Sequence, residues 1–133
     1  MLSIVIPTYN NINYLKLCLR SLTQNSKFNH DIIIHVNDGS DGTLNFIKEK
    51  KIKYTHSDIN IGLCSSINKA AKLTTCKYIL YSHDDMYFCP GWDEIINDEI
   101  KKLKHDNFYF SGVMIQKANG HINFDCGDTY ENF

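Results

Sequence analysis

Asp84 and Asp85 stand side by side directly after Tyr78-Ile79-Leu80-Tyr81, a stretch whose residue types place it buried in a sheet. Adjacent carboxylates repel each other, and unpaired charge is costly near a low-dielectric interior, so the pair needs something to hold it. Carboxylate oxygens suit Mg²⁺ or Mn²⁺, which keep several waters and bind phosphates through only one or two protein ligands. Taken alone, the pair reads first as a solvated turn that caps the next helix, and its placement at the sheet's carboxyl edge opposite Asp38 brings a metal site level with that reading. A third carboxylate, Asp38, opens "DGSDGT", which lacks the alternating acids and final Glu of a calcium loop. A turn with Ser40, Asp41 or Thr43 as helix cap is the expected role of that segment.

Other chemistries find less support. No G-x-G-x-x-G, G-x-x-x-x-G-K-[ST] or G-x-S-x-G occurs. A phosphate bound here would lack a glycine cradle and a P-loop lysine, and a cation held by carboxylates would have to neutralise it. His83 could reach a ligand beside the aspartates, but no paired-histidine spacing accompanies it. His35 falls inside a predicted strand and is read as a hydrogen-bonded core residue. Trp92 is read as core rather than a sugar-stacking platform.

The elements that must position these groups follow from periodicity. "LSIVIP" (2–7) opens as a strand that Pro7 ends, and Ile12, Leu15, Cys18, Leu19 and Leu22 recur at helical spacing. "DIIIHVND" is a buried strand, a short helix carries Leu44, Phe46 and Ile47, and "IKYTHS" is a third strand. Leu63, Ile67, Ala70 and Ala71 mark a helix before "KYILYS", the fourth strand, and Pro90-Gly91 opens a helix bearing Trp92, Ile95, Ile96, Ile100 and Leu103. "FYFSGVMI" (108–115) is a fifth strand, and "KANGHI" with "HINFD" forms a C-terminal β-hairpin. Four strand–helix alternations predict a mostly parallel α/β sheet with helices on both faces. Ligands of such sheets bind at the carboxyl ends of the strands. That rule gathers "PTYNN", "NDGSDGT" and "SHDDM", and with them Asp38, Asp84 and Asp85, at one edge.

With 133 residues the chain makes one domain, 1–133. A formal net charge of -1 gives no electrostatic case for nucleic acid. No apolar run approaches the ~20 residues of a membrane-spanning helix, and "MLSIVIPTYN" lacks the basic start of a signal peptide. Five scattered cysteines with no C-x-x-C argue for reduced thiols and a cytoplasmic setting, with peripheral attachment to the inner face of a membrane as an option.

"SIVIPTYNN", "NDGSDGT", "NIGLCSSIN" and "YILYSHDDMYFCPGW" resemble, in order and spacing over about residues 2–100, the nucleotide-binding half of family 2 glycosyltransferases, which have a Rossmann-like GT-A fold. The resemblance implies transfer of a sugar, with inversion, from a nucleotide-diphosphate donor such as a UDP-sugar to an acceptor hydroxyl on a glycan, lipid or protein, assisted by Mn²⁺ or Mg²⁺. It implies that Pro7, Thr8 and Tyr9 line the base pocket, that Asp38 holds base or ribose, and that Asn60 and Gly62 form a turn approaching the nucleotide. Asp84 would lie nearer the ribose, and Asp85, with Asp84, would hold the metal.

Three positions depart from the family pattern. Asn37 and Ser82 stand where many members have aspartate, and Ile67 replaces an arginine that some relatives place near the diphosphate. The nucleotide-binding portion occupies about 1–105, and 106–133 is part of an acceptor side that family domains usually carry further, so the chain is expected to be a piece of a longer domain. Asp125, Asp128 and Glu131 are the carboxylates remaining as candidates for the catalytic base, which is not assigned among them. The alternative reading is a nucleotide-diphosphate-binding module without activity of its own. A nucleotidyltransferase ranks below both, because "PTYNN" is neither glycine-rich nor basic. The exposed sheet edge suggests a homodimer.

Overall fold

The computed structural model describes residues 1–112. Its elements run β1 (Ser3–Tyr9), α1 (Ile12–Asn25), β2 (Asp31–Asn37), α2 (Thr43–Glu49), β3 (Lys53–Ser57), α3 (Leu63–Ala71), β4 (Ile79–Tyr81) and α4 (Trp92–Lys102). The four strands form one sheet in the order β3-β2-β1-β4, and each pairing is parallel.

The strand order explains where the helices lie. From β1 the chain adds β2 and β3 in one direction, then returns across both to place β4 on the far side of β1. Right-handed crossovers put α1 and α2 on one face for the first leg and α3 on the other for the return. The core divides accordingly. Leu15, Cys18, Leu19 and Leu22 of α1 and Ile47 of α2 pack with Ile4, Ile6, Ile34 and Val36. Ala70 and Ile67 of α3 pack with Val5 and Ile33 on the opposite side. The alternation of β1 and β2 residues between two cores is the period of two that a strand covered on both faces requires. The α4 residues Trp92, Ile96 and Ile100 are half-buried against the first core.

Several expectations need correction. β1 does not end at Pro7 but runs two residues further. Along β1 the Ser3 N–H and Val5 carbonyl bond toward β4. By alternation Pro7 faces that same side, beyond the end of β4 at Tyr81, so its missing N–H costs no ladder bond. The segment 78–81 is not a buried strand either. β4 has three residues, and Ile79 and Tyr81 are 51% and 40% exposed. The cause is position: β4 is an edge strand, and α3 covers β1, β2 and β3. Residues 108–112 form no strand; Phe108 instead packs at a tilt against Tyr78, 5.1 Å between ring centroids. The remainder of the fifth strand, the hairpin, and Asp125, Asp128 and Glu131 lie outside the described residues.

Candidate functional site

The reversal of strand order falls between β1 and β4, and open α/β sheets bind ligands at such a point, beyond the strands' carboxyl ends. Here the residues leaving the two strands touch. Thr8, 2% exposed, donates its hydroxyl to Asp84 Oδ2 at 2.6 Å. Asp84 is half-buried, while Asp85 beside it is exposed. Ser82 is turned inward: it is buried, and its hydroxyl donates to the His83 carbonyl at 3.0 Å. His83 is exposed and pairs through Nε2 with the Tyr81 hydroxyl at 2.9 Å.

On the other side of β1, the loops after β1 and β2 are clamped by Asn10, a residue the sequence reading did not single out. Its Nδ2 donates to Asp38 Oδ2 at 2.9 Å, and its Oδ1 accepts the Gly39 N–H at 3.0 Å. The signal was available: an Asn in a strand-end loop readily takes positive φ, and Asn10 has φ 45°. Asp38, at φ 59°, also accepts from the Ser40 hydroxyl at 3.1 Å. Hydrogen bonds from Asn10 and then Ser40 hold the Asp38 carboxyl below its usual range. The turn depends on Gly39, whose added Cβ would lie 2.8 Å from Val36 Cγ1 at a φ of +85°.

The cap of α2 differs from expectation, since Gly42 occupies the capping position. Asp41 nonetheless supplies the capping oxygens, and for two helices. Its carboxylate accepts the Thr43 N–H at 3.0 Å and, across the loop, the Ile12 N–H that begins α1 at 2.9 Å. Burial would raise the Asp41 carboxyl, but the bonds from Thr43 and Ile12 outweigh it and lower it.

The third loop enters through Asn60, whose Oδ1 accepts the Gly62 N–H at 2.9 Å. Gly62 has φ +80° and ψ 164°, a glycine-only conformation, and leads into α3. Asn60 and Gly62 are exposed, as is Tyr9 at 53%. Pro7 is buried. Ile67 packs against the α3-side core.

The edge is strongly anionic. Burial, reinforced by Asp84 and Asp85, pushes the Cys18 thiol up to about 12. Burial and then the same two carboxylates also raise the Tyr81 phenol. Negative charge at such a place favours binding of a cation. Among the described residues, no three His, Cys, Asp or Glu side chains converge. The donor set is the adjacent pair after β4, the half-buried Asp84 and the exposed Asp85. That set fits a hard divalent cation that draws its remaining ligands from water and phosphate. His35 lies in the core as expected, fully buried between Thr55 Oγ1 at 2.7 Å and Ser57 Oγ at 3.1 Å. Trp92 packs at a tilt against Phe88, 4.8 Å between ring centroids, and donates Nε1–H to Ser26 at 3.0 Å. A cavity of about 140 Å³ lined by Leu2, His30, Tyr78 and Asp93 lies at the opposite, amino-terminal edge of the sheet.

Sheet order and crossover pattern are those of a Rossmann-like GT-A fold. The chain belongs to glycosyl transferase family 2, whose sequence pattern it matches over residues 3–125. It is 36% identical over 125 residues to an uncharacterized glycosyltransferase of Rickettsia prowazekii, covering 91% of this chain and 39% of that one. A second, from Rickettsia bellii, is 30% identical over 121 residues, covering 86% of this chain and 17% of that one. The chain thus spans well under half the length of these curated relatives. Among solved structures, S. aureus TarS 1-349 superposes with a TM-score of 0.68 at 21% identity, over 76% of this chain and 32% of TarS. The mannosyltransferase PcManGT of Pyrobaculum calidifontis, in complex with GDP-Man and Mn²⁺, superposes at 0.63 with 15% identity, over 72% of this chain and 30% of that one. These likenesses establish the fold.

Proposed function

We propose that the chain is the donor-binding part of an inverting glycosyltransferase that takes its sugar from a UDP-linked donor. The observation that carries this is the Thr8–Asp84 hydrogen bond of 2.6 Å. It joins the strand expected to line the base pocket to the acidic pair at the point where the strand order reverses. TarS, one of the structural neighbours, has been solved in complex with UDP.

In this reading Tyr9 and Asp38 face the nucleoside, Asn10 and Ser40 fix the Asp38 carboxylate, and the turn at Asn60 and Gly62 closes beside them. Thr8 sets the rotamer of Asp84, and Asp84 and Asp85 would hold Mn²⁺ or Mg²⁺. When bound, the cation neutralises the diphosphate and favours its departure. The acceptor, a glycan, lipid or protein hydroxyl, and its general base belong to the part of the site for which Asp125, Asp128 and Glu131 are the candidates on this chain. A base typically contributes about 10²–10⁴-fold, so a chain without one would bind donor and turn over slowly. The donor side would face the cytoplasm, where the cysteines stay reduced.

The test is titration calorimetry of UDP with Mn²⁺, with EDTA, and with Asp85→Asn. Binding that needs Mn²⁺ and is lost in the variant is the expected result. Equal binding in EDTA would remove the metal from the reading, and no binding of UDP in any arm would remove the donor.

A further inference from the structure

Four loops leave the carboxyl ends of the strands, at 10–11, 38–42, 58–62 and 82–91. They hold the aspartates Asp38, Asp41, Asp58, Asp84 and Asp85 and no lysine or arginine. The basic side chain among them is His83. Ile67, where some relatives place an arginine, packs into the α3-side core with Val5, Ile33 and Ala70 and offers no donor. Apart from a metal, the basic group that these loops can present to a diphosphate is therefore His83.

The His83 ring is held in place. It is exposed, precedes Asp84 in the chain, and sets Nε2 2.9 Å from the Tyr81 hydroxyl, the two rings tilted at 5.2 Å between centroids. Between them Ser82 is buried, and beyond them Asp84 turns back to Thr8. The Tyr81 phenol lies within electrostatic reach of Asp84, Asp85 and Cys64, so the Tyr81–His83 pair stands close to both the acidic pair and the first turn of α3. The phenol carries a single O–H. Donating it to Nε2 leaves the ring proton on Nδ1, as an outward N–H donor. The reverse arrangement would leave an Nδ1 lone pair near two carboxylates, which only accept, and is the poorer one.

We infer that His83 contacts the diphosphate of the nucleotide donor, giving Nδ1–H to a phosphate oxygen beside the cation assigned to Asp84 and Asp85, and that Tyr81 is the positioning residue that sets the ring. This rests on the donor-site reading above. The pair supplies from the end of β4 the hydrogen-bond donor that a basic side chain at position 67 would supply from α3. A ring already held by the phenol loses little freedom when the nucleotide arrives.

The test is titration calorimetry of UDP with Mn²⁺ on the parent chain and on His83→Ala, His83→Asn, Tyr81→Phe and the double variant Tyr81→Phe/His83→Ala. Both side chains are exposed, so the substitutions leave the core intact. Loss of a hydrogen bond to a charged acceptor should weaken binding about ten- to hundredfold in His83→Ala. Asn can place its amide nitrogen where Nδ1 lies, so His83→Asn should return to within about fivefold of the parent. Tyr81→Phe keeps the ring contact and removes the O–H. It should lose about threefold alone and nothing further in the His83→Ala background. An affinity of His83→Ala within about twofold of the parent overturns the proposal. So does His83→Asn binding no better than His83→Ala, or a Tyr81→Phe loss undiminished when His83 is absent.

GDP is titrated beside UDP, because it carries the same diphosphate on another base. A parent chain that binds GDP and not UDP ends the UDP assignment, and the His83 ratios are then read with GDP. A parent chain that binds neither ends the donor reading and this inference together, whereas UDP binding indifferent to His83→Ala ends the inference alone. Saturation-transfer NMR with uridine, which has no phosphate, reads the base pocket by itself. Its signal should be the same in the parent and in His83→Ala. A drop matching that for UDP would mark a general loosening of the site and overturn the proposal.

Discussion

Asp93 sits in the first turn of α4 at 2% exposure, far from the acidic strand-end loops, and its carboxylate gathers three donors. The Lys27 and Phe28 backbone N–H groups each reach Oδ2 at 2.9 Å, and His30 Nε2 lies 3.0 Å from the same oxygen. On its other side the His30 ring accepts the Leu2 N–H at Nδ1 at 3.3 Å, which leaves Nε2 to donate to Asp93. Asp93→Ala strands three donors at once. At about 1 kcal/mol per net hydrogen bond, and more for a charged acceptor, the loss should be about 3–5 kcal/mol. That is a large share of a typical stability of about 5–15 kcal/mol.

The pH dependence has a defined sign. Burial alone would raise the Asp93 carboxyl, but the N–H of Phe28, the His30 ring and the N–H of Lys27 outweigh it and hold the group below its ordinary value. A depressed value in the folded state stabilises fully above the unfolded carboxyl's pKa of about 4 and is lost as pH falls through the folded value. The difference between parent and Asp93→Ala should therefore be greatest at pH 7 and shrink below about pH 4. Urea unfolding followed by fluorescence of Trp92, the single tryptophan, measures it next to the perturbation. A difference under about 1 kcal/mol at pH 7, or one that does not change with acid, would refute the reasoning.

Two further outcomes are expected at the site. Thr8→Val keeps the shape of a buried residue and removes only the hydroxyl bonded to Asp84, so UDP–Mn²⁺ affinity should fall roughly tenfold or more. Calorimetry checks the affinity, and an unchanged value would separate Thr8 from Asp84 in function. In Gly62→Ala the added Cβ meets nothing within 4 Å, so the cost is purely that of a backbone at φ +80°. A loss of about 1–3 kcal/mol in urea unfolding, together with weaker UDP binding, is expected. An equally stable variant would show that the turn relaxes freely.

What the sequence determined by itself is what depends on local pattern. The unbroken apolar runs at Ile4–Ile6 and Ile32–Ile34 define strands covered on both faces, and the spacing of Leu15, Cys18, Leu19 and Leu22 defines one buried helix face. Strand–helix alternation gives a parallel sheet, and a parallel sheet places Asp38, Asp84 and Asp85 at one edge whatever the strand order. His35 as a core residue followed from its place inside such a run.

Strand order was not legible, because it is set by which long-range contacts bury the most surface. Everything that depends on it was decided by the tertiary structure. With β4 at the edge, Ile79 and Tyr81 stand exposed in an apolar stretch that looks interior. With β4 beside β1, Asp84 meets Thr8 across 76 residues. Asp41 accepts N–H groups from two helices, Asn37 bonds to Thr8, Ile61 and Ser66, and Asp93 collects donors from a loop 63 or more residues away. Each is a small polar residue in an ordinary-looking turn, strand end or helix start. Its importance comes from hydrogen bonds whose partners are distant in sequence, and a directional bond leaves no trace in periodicity. Apolar burial is a property of a residue and its near neighbours, whereas the pairing of a buried polar group belongs to the folded whole.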